Sequence, residues 1–196
     1  MRRIVVINQL TLDGVMQGPG RADEDVRGGF EHGGWAAPGN DEVTAKAMAA
    51  NMANVGPLLL GRRTYEDFYG YWPHQRGNPY SEALGKRRKY VASTTLTEPL
   101  PWRNSTLLSG AAEAAVAELK REAGKDIAVF GSGQLVRSLM RHDLIDEYLL
   151  MIHPLVLGTG RRMFPDDGPK LGLRLVDSAT TTTGVLIATY RPAAAT

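Results

Sequence analysis

The 196-residue chain contains no cysteine, which excludes disulfide bonds, zinc–thiolate centres and cysteine nucleophiles. It also lacks any window near the ~20 apolar residues that a membrane-spanning helix needs. The chain has little net charge, because 23 basic and 21 acidic residues leave only +2. That balance argues against a dedicated nucleic-acid or membrane-surface protein. What remains, 43% hydrophobic and 22% charged residues, is ordinary for a globular protein.

The N-terminus begins like a signal peptide, with Arg2 and Arg3 ahead of an apolar stretch. This stretch ends at Asn8 and is too short for the hydrophobic region of such a peptide. Together with the lack of cysteine, it leads us to expect a cytoplasmic protein. The length favours a single domain over residues 1–191 with a flexible tail at 192–196.

Strand-like and helix-like patterns alternate along the chain. Apolar runs predict strands at "RIVVINQL", "PLLLG", "KYVAS", "TLLSG", "DIAVFG" and "LIDEYLLMIHPLVLG", and two more, "LGLRLVDSA" and "GVLIATYR", flank a turn and should be antiparallel. Helical spacing predicts helices at "NDEVTAKAMAANMANV", "TYEDFYGYW", "AAEAAVAELKREAG" and "GQLVRSLMRH". Asn40 and Thr64 are the expected N-caps, and Gly124 the expected end of the third helix. The order predicts an α/β fold with a mixed sheet, whose ligands bind beyond the carboxyl ends of the strands.

The stretch "QLTLDGVMQGPG" places an acidic residue, Asp13, where the first strand gives way to a glycine-rich segment that extends to Gly39. A segment this long without periodicity is usually functional or mobile. Asp-Gly is also a strong turn dipeptide. Two roles for Asp13 therefore stay open, a loop anchor or a direct contact with substrate, and it is a weak candidate for a catalytic residue.

Three junctions at the ends of predicted strands favour phosphate binding, because glycines, helix N-termini and arginine forks suit an anion. They comprise Gly61, Arg62, Arg63 and Thr64; Gly131, Ser132, Gly133, Gln134 and Leu135; and Ser93 with Thr94. Each has a plain alternative: a capped helix with solvated arginines, a tight turn, or ordinary loop hydroxyls. Their joint placement predicts one crevice for an elongated, multiply phosphorylated cofactor.

Other motifs are less informative. Gly158, Thr159 and Gly160 open the loop "HPLVLGTGRRMFPDDGP", which either borders a site or is a surface excursion. The four histidines have no metal-ligand spacing, so we expect no metal. We expect His153 to be a strand residue with a satisfied ring, and "KRRK" at residues 86–89 to be a solvated strand entry.

The chain resembles the dihydrofolate reductase superfamily, and most closely the reductase domain of bifunctional riboflavin-biosynthesis deaminase/reductase proteins. The resemblance covers about residues 2–191 and rests on "TLDG", "LLLGRRTYE", "AVFGSGQLV" and "HPLVLGTGRRMF", in this order. It implies a three-layer α/β/α fold with a mostly parallel sheet of about eight strands, whose last strand is antiparallel. It also implies NADPH as cofactor and a homodimer.

Carried over by position, the resemblance assigns a role to each junction. It places residues 61–64 at the pyrophosphate and the 2′-phosphate, Ser93 and Thr94 at the adenosine half, and residues 131–135 at the phosphates. It places Val15 and Met16 at the nicotinamide. Gln9 and the loop of residues 158–160 would border the substrate.

Two departures argue against folate reduction. The carboxylate that folate reductases use to bind the pterin falls near Ala45, and its threonine partner near Leu150. We also find no deaminase half. The expected activity is an NADPH-dependent reduction of a small pterin-like, aminopyrimidine-like or carbonyl substrate, with water as the proton source. The alternatives are a non-catalytic nucleotide-binding or ligand-sensing protein, and another group transfer on the same scaffold.

Overall fold

The computed structural model describes residues 1–164, 168 and 170–193. Over these residues the chain is an α/β protein with an eight-stranded mixed sheet, as predicted, and five α-helices. The elements are β1 (Ile4–Thr11), α1 (Glu42–Asn54), β2 (Val55–Gly61), α2 (Arg62–Tyr71), α3 (Pro79–Lys86), β3 (Lys89–Ala92), β4 (Ser105–Leu108), α4 (Ala112–Arg121), β5 (Asp126–Phe130), α5 (Gly133–Arg141), β6 (Glu147–His153), β7 (Leu173–Thr180) and β8 (Leu186–Pro192).

The chain divides into two compact units, and the first comprises Met1–Ile4 and Asn54–Leu144. Its four strands lie in the order β4-β3-β2-β5, and all their pairings are parallel. Leu59 of β2 and Val129 of β5 are fully buried, like their apolar neighbours in both strands. Such continuous apolar runs are what strands covered on both faces require.

The second unit comprises Val5–Ala53 and Ile145–Thr196. β1 pairs with β6 in parallel, and β8 is antiparallel to both β6 and β7. This confirms the prediction of two antiparallel closing strands. The amide of Ala193 donates to the carbonyl of Gly172 (2.8 Å), so pairing continues past the predicted domain end at residue 191. Residues 194–196 of the predicted tail lie outside the described residues.

Three predicted helix ends are wrong. Asp41, not Asn40, caps α1, because its carboxylate accepts from the amide (2.8 Å) and the hydroxyl (3.0 Å) of Thr44. α2 begins directly after Gly61, so Thr64 lies inside its first turn. α4 ends at Arg121, since Glu122 is already extended and pairs with Arg2 (3.0 Å); Gly124 therefore lies beyond the helix.

The eight-residue helix α3 is absent from the predicted helices. Its signal is the pair Asn78-Pro79: the Asn78 side chain accepts from the amides of Tyr80 (2.9 Å) and Ser81 (3.4 Å), and Pro79 starts the helix. No sustained apolar stripe accompanies that signal in so short a segment.

Lys89 was predicted to be solvated, but it is fully buried. Its ammonium group donates to the carbonyls of Leu84 (2.9 Å) and Arg87 (2.7 Å) and lies 4.3 Å from the centre of the Trp102 ring. Carbonyls at the C-terminus of α3 attract a cation, which explains why a lysine lies inside the protein here. Within the described residues, no helix combines the length and apolarity needed to cross a membrane.

Candidate functional site

In the first unit, one hydroxyl group joins two strand-to-helix turns. β2 and β5 are parallel neighbours, and each is followed by a helix, α2 and α5. The Ser132 hydroxyl accepts from the Gly61 amide (2.7 Å) and donates to the Thr64 hydroxyl (2.9 Å). We call residues 61–64 and 131–135 together the phosphate cradle. The structure thus brings together two of the three junctions that the sequence singled out.

Close contacts with neighbouring side chains explain why residues 61 and 131 of the phosphate cradle are glycines. A Cβ at Gly61 would lie 3.1 Å from the Ser132 hydroxyl, and one at Gly131 would lie 3.2 Å from the Thr64 hydroxyl. Gly131 also has φ +53°, and Ser132 follows with φ +56°. Two successive left-handed residues are strained for side chains other than glycine, which is typical of a ligand-binding turn.

The helix ends of the phosphate cradle suit an anion. The N-cap residues of α2 and α5, Gly61 and Ser132, make no side-chain cap bond, so they leave the amides of the first turns available. Those amides and the helix dipole attract negative charge. Arg62 pairs with Glu66 (3.3 Å) but stays 39% exposed, and Arg63 is exposed. Both guanidinium groups can therefore reach an anion bound beside α2.

The third junction lies on the adjacent strand. Ala92, the last residue of β3, pairs with Gly61, and Ser93 follows it directly. The Ser93 hydroxyl accepts from the amides of Thr95 (3.1 Å) and Leu96 (3.0 Å), which forms a local turn, while Thr94 is exposed. Ser93 therefore shapes this loop, and Thr94 is the residue free to meet a ligand.

In the second unit, Asp13 ties two loops together. Its carboxylate accepts from the Thr11 hydroxyl (2.6 Å) and from the amides of Leu157 (3.2 Å) and Gly158 (2.9 Å). The Arg162 guanidinium lies 3.6 Å away and also donates to the Asp13 carbonyl (2.8 Å). Led by the Thr11 hydroxyl, these hydrogen bonds lower the pKa of Asp13 to about 2. Asp13 is therefore ionised at neutral pH and cannot act there as an acid.

Backbone pairing reinforces this attachment, which we call the loop clasp (residues 13–17 and 157–163). Val15 and Arg162 form a short antiparallel bridge, in which the Met16 amide donates to the Arg161 carbonyl (2.9 Å). The Met163 amide donates to the Gly14 carbonyl (3.0 Å). Residues 165–167 and 169, which end the predicted loop "HPLVLGTGRRMFPDDGP", lie outside the described residues.

Gln17 is a buried member of the loop clasp that the sequence reading did not single out. Its side-chain amide donates to the carbonyls of Asp25 (3.0 Å) and Arg27 (2.9 Å) and accepts from the amide of Arg161 (3.0 Å). Its own carbonyl accepts from the Trp35 indole (2.7 Å). A glutamine between glycine turns gives no periodic signal, so only the structure reveals this role.

The residues predicted to meet the nicotinamide differ in exposure. Val15 is fully buried in a cluster with Phe30, Trp35 and Ala36, whereas Met16 is half-buried. Gly160 has φ +109°, and a Cβ there would lie 2.8 Å from atoms of both Val15 and Phe30. Only the backbone of Val15, or the side chain of Met16, is available to a ligand at this point.

Gln9 and His153 form a pair on neighbouring strands. Gln9 is half-buried, while the other residues of β1 are buried, and its side-chain oxygen lies 2.5 Å from Nε2 of the buried His153. The Trp35 ring packs edge-on against the imidazole at 5.2 Å, and a Cβ at Gly39 would lie 2.5 Å from its Nδ1. Burial lowers the pKa of His153. Nε2 of the ring is hydrogen-bonded, and this contact orients the Gln9 amide.

The structure also locates the positions that folate reductases use. Ala45 is exposed on α1 and Leu150 is buried in β6, so neither provides a carboxylate or a hydroxyl. The nearby acid Asp41 is already bound: besides Thr44, it accepts from the amide (2.8 Å) and the hydroxyl (2.7 Å) of Thr182. These bonds lower its pKa. Asp41 therefore serves to fasten α1 to the turn between β7 and β8.

Replacing Ser132 by Ala tests the junction in the phosphate cradle. We expect the free energy of unfolding to fall by about 1–2 kcal/mol, because the partly buried Gly61 amide loses its acceptor. Urea denaturation measures this, with Ser109→Ala at an exposed serine of the same unit as the control. Equal stability of the two variants would contradict this role for Ser132.

Replacing Asp13 by Asn tests the loop clasp. The neutral amide accepts more weakly from Leu157 and Gly158, so opening there should become about 1 kcal/mol easier, or roughly fivefold more frequent. Hydrogen exchange of these two amides is the measurement. Asp23→Asn, at an 87% exposed carboxylate of the same long loop, is the control and should leave both amides unchanged. Unchanged exchange in Asp13→Asn as well would show that the carboxylate does not hold the loops.

The buried imidazole predicts a dependence of stability on pH. The pKa of His153 in the folded protein lies below its unfolded value near 6.5, so the unfolded chain binds more protons as the pH drops through this range. Stability should therefore fall from pH 7.5 to pH 5.5, and fall less in His153→Gln. His74→Gln, at an exposed histidine, should retain the wild-type slope. The measurement is urea denaturation at each pH, and identical slopes in all three proteins would refute the prediction.

Comparison with known proteins places these features in a family. YyaP, an uncharacterised protein of Bacillus subtilis (strain 168), is 28% identical over 202 residues, covering 96% of this chain and 94% of YyaP. A crystal structure from Shewanella sp. PV-4, described as a riboflavin biosynthesis protein, has a TM-score of 0.73 and 22% identity, over 97% of this chain and 99% of that one. Dihydrofolate reductase from Enterococcus faecalis, complexed with NADP(H), has a TM-score of 0.59 and 14% identity, over 97% and 96%.

At such low identities the solved structures show the fold alone, and they confirm that it is dihydrofolate-reductase-like. The relationship itself comes from the sequence. Residues 2–187 match the RibD C-terminal domain family, which agrees with the resemblance carried by the four motifs. This chain belongs to the RibD C-terminal domain family.

Proposed function

We propose that this protein is an NADPH-dependent reductase that transfers a hydride to a small heterocyclic or carbonyl substrate. The observation that carries the proposal is the phosphate cradle, where two neighbouring helices begin without side-chain caps and are held together by Ser132. Membership in the RibD C-terminal domain family supports a reductase on this fold.

The residues of the phosphate cradle fit a dinucleotide. Amides of the first turns of α2 and α5 bind its pyrophosphate, and the glycines at 61 and 131 let Ser132 and Thr64 come close enough to hold the two turns together. Arg62 and Arg63 bind the 2′-phosphate, whose oxygens match the fork of a guanidinium group. Ser93 and Thr94 contact the adenosine half, and Val15 and Met16 the nicotinamide, as the family resemblance implies. The bound cofactor supplies the hydride, and the protein supplies binding and orientation.

On the substrate side, we propose that the loop clasp and Gln9 bind a small pterin-like or aminopyrimidine-like ring, or a carbonyl compound. Gln9 is half-buried and held by His153, so its amide is oriented for hydrogen bonding to such a ring. Gly158 and Thr159 are exposed, so their backbone is accessible to a ligand. Dihydrofolate is not the substrate, because Ala45 and Leu150 replace the carboxylate and the threonine that it requires.

The proton that accompanies the hydride comes from water in this proposal. Asp13 has a pKa of about 2 and is held by hydrogen bonds to the Gly158 loop. His153 is buried with a lowered pKa and is already bonded to Gln9. Asp13 has no proton at neutral pH, and the neutral His153 ring is engaged with Gln9, which leaves solvent as the source.

The same observation supports one alternative. A protein that binds a nucleotide at the phosphate cradle but has no side-chain proton donor could be a sensor that has lost the chemistry. Binding of NADPH without turnover across a panel of pterins, aminopyrimidines and quinones would favour that alternative. Turnover of any member of the panel would establish the reductase.

Replacing Arg62 by Ala tests whether the protein binds NADPH and whether Arg62 recognises its 2′-phosphate. We expect NADPH to bind the wild type and to bind the variant about tenfold more weakly, since one charge-assisted contact to the 2′-phosphate is lost. NADH, which lacks that phosphate, should be almost unaffected. Arg141→Ala, at an exposed arginine in the last turn of α5, is the control for a lost charge. Fluorescence titration of the three proteins with each nucleotide gives six dissociation constants.

The outcomes separate the parts of the proposal. No binding of NADPH or NADH at millimolar concentration would refute the reductase and the nucleotide sensor together, and would leave another group transfer on the scaffold. Equal losses for the two nucleotides in Arg62→Ala would show that Arg62 does not recognise the 2′-phosphate.

A further inference from the structure

In the second unit, the pair formed by Gln9 and His153 lies on one face of the sheet. β1 and β6 are parallel, with Gln9 beside Met151 and Thr11 beside His153. Positions two apart in a strand share a face, so these four side chains lie on the same side. Gln9 is half-buried while the other residues of β1 are buried. A polar group placed in this way among apolar ones can fix the orientation of a small ligand.

The position of the imidazole proton decides which end of the Gln9 amide faces His153. Burial lowers the pKa of His153, so at neutral pH the ring is neutral and carries one N–H group. Nδ1 lies against Gly39, where a Cβ would be 2.5 Å away, and no described residue offers it an acceptor. Nε2 lies 2.5 Å from the Gln9 oxygen. The proton therefore resides on Nε2, which donates to that oxygen.

The opposite arrangement leaves a polar group unmatched. With the proton on Nδ1, Nε2 of His153 would accept from the Gln9 nitrogen instead. The Nδ1–H group would then face the Gly39 backbone without an acceptor, and a buried donor without a partner is unfavourable. The Trp35 ring packs edge-on against the imidazole, with 5.2 Å between the ring centres, which restricts the imidazole to its present orientation.

The nitrogen of the Gln9 amide is therefore the end that meets a ligand. Its oxygen faces the imidazole, and the nitrogen carries two N–H groups. Among the described residues none accepts a hydrogen bond from this nitrogen, and protein atoms do not enclose it. The site thus presents hydrogen-bond donors at Gln9.

We propose that Gln9 determines specificity by donating a hydrogen bond to the substrate, and that His153 is the positioning residue that fixes its amide in this orientation. The substrate then carries an acceptor at this point, either a carbonyl oxygen or an unprotonated ring nitrogen. A ring that offers an amino or N–H group here is disfavoured, because donor meets donor. This inference rests on the proposed function, in which Gln9 borders the substrate.

Nuclear magnetic resonance measures the tautomer on which the proposal depends. Long-range proton–nitrogen correlation spectra of the full chain at pH 7.5 should show the His153 ring neutral and protonated at Nε2. The spectrum of His153→Gln assigns the signal by its absence. Protonation at Nδ1 would overturn the proposal, because the Gln9 amide would then turn its nitrogen toward the ring.

A pair of two-ring aromatic compounds tests the polarity of the site. Quinoxaline has two ring nitrogens that accept and no donor, whereas 2,3-diaminonaphthalene has two amino groups that donate and no ring nitrogen. Calorimetric titration without added nucleotide should show quinoxaline binding at least tenfold more tightly. Gln9→Glu, which replaces the donors by acceptors, should reverse this preference. Gln75→Glu, at a glutamine of the first unit, is the control and should retain it.

Replacing His153 by Phe tests the positioning role. Phenylalanine keeps an aromatic ring beside Trp35 but removes the donor, so the Gln9 amide can present either end. The ratio of the two dissociation constants should then fall to within about threefold. A purely structural role would weaken both compounds equally and leave the ratio unchanged. Circular dichroism verifies that each variant is folded.

Three results of these titrations would overturn the proposal: an unchanged ratio in His153→Phe, no reversal in Gln9→Glu, or binding of neither compound at millimolar concentration. None of the measurements uses NADPH or turnover. Failure of the reductase would therefore appear in the nucleotide titrations and the turnover panel, and failure of this inference in the tautomer and in the ratio of the two compounds.

Discussion

The hydroxyl group of Ser132 is the contact on which the phosphate cradle depends. It accepts from the amide that ends β2 and donates to the threonine in the first turn of α2, while its own backbone begins α5. Two helix N-termini are thereby fixed beside each other without their first amides being consumed by a cap. Because an ordinary capping side chain would neutralise those amides, the arrangement preserves their affinity for an anion. This arrangement requires left-handed backbone at Gly131 and Ser132, and that conformation is strained for the serine.

In the second unit, side chains hold the long loops in place. Its long loops have few regular hydrogen bonds of their own, so buried or ionised side chains supply acceptors for their amides. Asp13 does this for Leu157 and Gly158, Gln17 for Arg161, and Asp41 for Thr44 and Thr182. Two of these residues are acids beside a predicted substrate loop or at a helix start, where a catalytic role is the first hypothesis. Their hydrogen bonds identify them as groups that fix the loops.

The sequence predicted the fold well because its strongest signals are periodic or compositional. Apolar runs located the eight strands, and "TTTTG" indicated the closing hairpin. Helix ends were less predictable, since Asn40 and Asp41 are equally good cap residues in the sequence. In the structure Asp41 is also bound by Thr182, a contact between residues far apart in the chain. Lys89 could not be predicted either, because its burial depends on carbonyls at the end of α3, a helix without a sustained apolar stripe. The cradle residues were found because glycine, serine and threonine cluster at strand ends, whereas Gln17 acts only through contacts far along the chain.

The states of Asp13 and His153 constrain the chemistry that this chain can perform. A general acid for neutral pH needs a pKa near 7 and an exposed proton. Asp13 lies far below that value, because the groups around it are donors that stabilise the carboxylate. His153 is the opposite case, since burial disfavours its cation and its Nε2 faces the Gln9 oxygen. One group is thus fixed in its charged form and the other in its neutral form. Asp13 and His153 therefore serve to position the groups that they bind, Asp13 the Gly158 loop and His153 the Gln9 amide.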